Sequence, residues 1–177
     1  MVESLSPFAS LDAAFRLLCE GPRPLGLDGE TIGARPGRVV SMVELRQLLL
    51  ARSCSHEVRN AAVGAVVARA QSEGGAWMVA AAGLLLPGMA RVAYPLVRAY
   101  RGHIADIETE MLTGLVDGIR RADPATSGVA ARLVWKSRRA AEPLVRAERI
   151  EKARTGLLPP ASMEPPQAVW ASEFGAG

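Results

Sequence analysis

Three carboxylates lie within one short stretch, Asp106, Glu108 and Glu110, and such a cluster raises the question of paired acid–base chemistry. On a helix, Asp106 and Glu110 stack on one face while Glu108 turns about 160° from each of them. The spacing therefore predicts a solvated acidic face with Glu108 nearby, not an acid pair. His56 and His103 have no second ligand at metal spacing, and Cys54-x-His56 alone cannot close a tetrahedral site. Cys19 and Cys54 are too few and too far apart for a disulfide framework and read as small thiols in a reducing compartment. The run Gly33-Ala34-Arg35-Pro36-Gly37 lacks the lysine–hydroxyl end of a phosphate loop. No serine sits in a Gly-x-Ser-x-Gly elbow. The expectation is a chain with no enzymatic activity, no metal, no cofactor and no small-molecule substrate.

Charge is the stronger signal. Residues 125–156 carry eight basic side chains against three acidic ones, whereas residues 104–123 carry five acidic against two basic. The signs are segregated by segment. At about 100° per residue, Arg132, Lys136, Arg139 and Arg146 fall within an arc of about 80°, with Trp135 at its edge. A cationic stripe beside a flat aromatic ring suits a nucleic-acid backbone and an unstacked base. The same residues also suit a solvated face with Trp135 turned into the core. Asp106, Glu110 and Asp117 form the acidic counterpart, a candidate surface for a protein partner. Trp170 and Phe174, four residues apart, would share a face if that segment folded on a partner.

The elements that must position these groups read mostly as helices. Ser6 and Pro7 open one over 7–20, with Leu11, Phe15 and Leu18 on one side. Residues 22–40 show no helical period and read as an irregular arm; Asp28-Gly29 allows a small hairpin, but no convincing second strand follows. Ser41-Met42-Val43-Glu44 is a capping box for a helix to about Arg52 burying Leu45, Leu48 and Leu49. Ser55 caps the next, about 56–72, facing inward through Val58, Ala62, Val63, Val66 and Ala70. Gly74 to Ala90 is a stretch of 17 uncharged residues. Its length falls just below a membrane span, and the pattern predicts a buried central helix bent or broken near Pro87 and anchored by Trp77. Ile104, Ile107, Met111, Leu115 and Ile119 then mark the clearest helix, over 104–122. The last runs from Ser127-Gly128 to about Arg154 with a kink expected before Pro143. Beyond Gly156, two Pro-Pro pairs predict a flexible tail.

The 177 residues, with 49% hydrophobic, 22% charged and 5% aromatic content, exclude collagen, disulfide scaffolds and wholesale disorder. A formal charge of +3 is too small by itself to demand a polyanion partner. Lys136 and Lys152 are the only lysines among 21 basic residues, which reads as GC-rich codon usage rather than selection for phosphate binding. Met1-Val2-Glu3-Ser4 lacks a basic start followed by an apolar block, so no secretory signal and a cytoplasmic location are expected. The fold expectation is an all-α bundle of about six helices. It divides into a helix and arm over 1–40, a helical domain over 41–156 and a Pro-rich tail over 157–177.

The stretch from Asp106-Ile107-Glu108-Thr109-Glu110 through Ile119-Arg120-Arg121-Ala122-Asp123 resembles the core-binding helix of region two in bacterial sigma factors. The following Val129-Ala130-Ala131-Arg132-Leu133-Val134-Trp135-Lys136-Ser137-Arg138-Arg139-Ala140 resembles the helix of that family which handles promoter DNA. The resemblance spans about residues 72–146. It implies RNA polymerase as partner of the acidic helix and DNA as partner of the basic one. Trp135 stands where the family usually offers several aromatics, and nothing after residue 156 reads as a promoter-reading helix-turn-helix. The implied role is a non-enzymatic, transcription-associated regulator or adaptor. The alternative is a helical interaction scaffold whose C-terminal segment docks on a partner without nucleic acid. The chain also looks like uncharacterised helical proteins of GC-rich bacteria.

Overall fold

In the computed structural model, which describes residues 6–22 and 24–156, six helices surround one apolar core. They are α1 (Pro7–Glu20), α2 (Met42–Leu50), α3 (His56–Glu73), α4 (Gly75–Ala99), α5 (Ile104–Arg121) and α6 (Val129–Thr155). The fold is all-α, as the periodicity requires. Its helix starts obey local chemistry. Ser6 Oγ accepts from the Ala9 amide, Ser55 Oγ from the Val58 amide, and Ser41 with Glu44 forms both halves of a capping box.

Residues 22–40 depart from the irregular arm. Strand β1 (Gly26–Asp28) pairs antiparallel with β2 (Val39–Ser41), with Leu27 opposite Val40. The partner strand is only three residues long and follows a ten-residue connection, so neither period nor turn spacing announces it. What holds the pair is the core beneath: Leu27, Ile32 and Val40 are all buried in it. The Gly29 amide donates to the Arg38 carbonyl across the connection at 2.8 Å.

The helix α4 occupies the centre and touches α1, α2, α3, α5 and α6. It is a single helix through both Pro87 and Pro95, so of the bend or break expected near Pro87 the break does not occur. Proline removes a helix hydrogen bond, but Pro87 is buried and neighbouring helices hold the segment on several sides. Gly83, one turn earlier, lies under the Phe15 ring, where an added Cβ would come within 2.1 Å. By length and composition α4 could cross a membrane, yet 61% of its most apolar window is buried inside the bundle. Likewise α6 continues through Pro143. Smaller differences concern α2, which ends at Leu50 with Met42 and Leu45 buried and Leu48 and Leu49 half-buried, and Val58, which is half-buried.

Helices α5 and α6 pack closely because small residues line their seam. A Cβ on Gly114 would lie 2.5 Å from the Ala140 Cβ, and one on Gly118 would lie 3.0 Å from Leu133. In the same seam the buried Ser137 hydroxyl donates to the Met111 carbonyl at 2.7 Å. At the loop joining the two helices, Asn60 of α3 accepts the Gly128 amide at 3.0 Å and so fastens the start of α6.

Candidate nucleic-acid interface

Helix α6 turns Val129, Leu133, Val134, Ser137, Ala141 and Val145 into the bundle. Those positions centre about 155° from the arc of the predicted cations. Arg132, Lys136, Arg139 and Arg146 are accordingly all exposed, and Trp135 retains 49% of its accessible surface. The indole is not interred. Among the described residues, Arg132, Arg139 and Arg146 enter no ion pair. Lys136 is the member drawn toward a neighbour, with Nζ 4.0 Å from Asp117 Oδ2. Ile150, 53% exposed, continues the same side of the helix beyond Arg146.

Arg138 lies outside the predicted stripe but is part of its surroundings. Its guanidinium sits 5.2 Å from the centre of the Trp135 ring and is held by Glu142 at 3.2 Å. One face of the indole is thus pre-stacked by a cation, which limits its rotation. The signal was in the sequence: Arg138 follows Trp135 by three residues and precedes Glu142 by four, the neighbour spacings of a helix.

The acidic set is less free than the basic one. Asp117 receives Arg121 at 3.0 Å as well as Lys136. Asp106 accepts a hydrogen bond from the Tyr100 hydroxyl at 3.3 Å. Burial, followed by the Asp106 charge and that hydrogen bond, pushes the Tyr100 phenol above its ordinary pKa. Glu110 is exposed and enters no ion pair or side-chain hydrogen bond among the described residues. Trp170 and Phe174 lie outside the described residues.

Glu108 is a correction to the solvated acidic face. It is fully buried, and its Oε2 accepts the amide of Phe8 at 3.1 Å, at the first turn of α1. A carboxylate at a helix N-terminus meets exposed amides and the positive end of the dipole. The clue was angular: Glu108 falls about 100° from Ile107, within the roughly 120° arc closed by Ile119. Its role is to join α1 to α5.

Elsewhere, a shallow open groove of about 360 Å³ lies between α3 and the α5–α6 loop, lined by Asn60, Gly64, Ala68, Pro124 and Thr126. It holds no ionisable side chain. The Cys19 thiol is pushed up by burial, against the lowering pull of Arg46, which disfavours a reactive thiolate. Among the described residues no three His, Cys, Asp or Glu side chains are grouped to hold a metal ion. The chain matches no family model, no curated protein and no solved structure.

Proposed function

We infer that this chain is a non-enzymatic adaptor or regulator that binds the backbone of nucleic acid along the outer face of α6. The observation that carries the reading is the set of exposed cations Arg132, Arg139 and Arg146, unpaired among the described residues, around a half-exposed Trp135. Cations without intramolecular partners keep their attraction for phosphate, and releasing counterions from a polyanion drives association. Trp135 offers a stacking surface for a base. The resemblance to sigma region two supplies the context, DNA at α6 and RNA polymerase at the acidic row of α5, where Glu110 is the carboxylate available to a partner.

The test is a DNA titration at two salt concentrations with wild type and with Lys136→Glu/Arg139→Glu. About four phosphate contacts predict a log–log salt slope near −3.5 and a loss of about a hundredfold in affinity between roughly 50 and 200 mM salt. The double variant is expected to bind more weakly with a slope about half as steep. Equal binding by the two proteins sinks the DNA assignment. Co-purification of RNA polymerase with wild type but not with Glu110→Lys checks the acidic partner.

A further inference from the structure

The outer face of α6 combines two features that seldom remain open together. It is cationic through Arg132, Lys136, Arg139 and Arg146, and it exposes Trp135 and Ile150 at 49% and 53%. A polyanion backbone satisfies the charge but leaves Ile150 uncovered. A ligand that fits both must be acidic and apolar at once. The chain contains such a segment immediately after α6 in sequence. Residues 157–174 carry Glu164 and Glu173, no basic side chain, and the apolar Met163, Val169, Trp170 and Phe174.

Reach permits the match. The segment leaves from the C-terminal end of α6, and Trp135 lies 21 residues back, about 31 Å along a helix rising about 1.5 Å per residue. Fourteen residues, 157–170, span up to about 46 Å when extended. Tethering also gives the segment a local concentration in the millimolar range, so even a weak contact is populated. We propose that residues 157–174 are an intramolecular ligand of the α6 face, with Glu164 and Glu173 against its arginines and the segment's apolar side chains, Trp170 among them, against Trp135 and Ile150. The segment competes with anionic partners for that surface, and in this the proposal rests on the reading of the face as a nucleic-acid site.

The experiment uses the full chain labelled with ¹⁵N, in which Trp77, Trp135 and Trp170 each give an indole N–H resonance. Wild type is compared with Glu164→Lys/Trp170→Ala/Glu173→Lys/Phe174→Ala. The Trp135 resonance is expected to move between the two proteins, independently of protein concentration, while that of the core residue Trp77 stays in place. A second variant, Arg139→Glu/Arg146→Glu, is expected to move the Trp170 resonance. Coincident Trp135 resonances overturn the proposal, and so does a displacement that grows with concentration, which assigns the contact to a second copy. Binding of oligothymidylate gives an independent readout. A face left open about a quarter of the time predicts about fourfold tighter binding once the segment is altered. Equal affinity overturns the competition. If neither protein binds the oligonucleotide while the Trp135 displacement persists, the nucleic-acid reading falls and the intramolecular contact stands.

Discussion

Glu108 shows how a single side chain can hold two distant parts of this chain together. It lies one hundred residues from its partner amide, at Phe8. Both residues belong to the buried interior, where hydrogen bonds to a charged acceptor contribute about 1.5–3 kcal/mol. Glu108→Leu removes that acceptor and is expected to destabilise the fold by about 2–3 kcal/mol, whereas Glu108→Gln, which retains an oxygen, costs about half as much. Denaturant unfolding of the three proteins measures both losses. Equal stability of wild type and Glu108→Leu refutes the link. The residue was visible in the sequence as an acid, and its angle placed it in the apolar arc. Its amide partner was not legible, because no local pattern relates position 108 to position 8.

Among the elements, the α5–α6 pair decides where the charges stand. Gly114 permits an approach that an added Cβ would close to 2.5 Å from Ala140. Gly114→Ala improves intrinsic helix propensity by about 1 kcal/mol, but overpacking a tight contact costs about 1–3 kcal/mol. Since the obstructing atom is itself a Cβ and cannot rotate away, the steric cost prevails and a lower melting temperature is expected. Adding Ala140→Gly to that variant should recover part of the loss, a coupling readable by thermal unfolding of the single and double variants. Helix extents were largely legible from caps and apolar spacing, as at Ser6, Ser41 and Ser55. The continuity of α4 through Pro87 was not, because burial and neighbouring helices offset the missing hydrogen bond.

For the whole molecule, one interior joins α1 to the rest. Phe15 is fully buried and rests on Gly83 of the central helix. Phe15→Ala is expected to cost about 3–5 kcal/mol. Because the ring sits in the shared core, the loss should lower the stability of the entire bundle and not merely release α1. Helical circular dichroism and tryptophan fluorescence are therefore expected to give coincident, shifted transitions; a separate early transition would show α1 to be an independent unit.

The amino-acid order alone determined the all-α class, most helix boundaries and the outward side of α6. Each of these depends on neighbours three or four residues away, and the helical repeat converts that spacing into a face. Tertiary structure alone decided that Glu108 faces α1, that Leu27 meets Val40, that Asp117 also meets Lys136, and that Trp135 stays open. These outcomes depend on which elements lie side by side and how closely. That arrangement is set by the packing of the whole interior, and a local run of residues does not encode it.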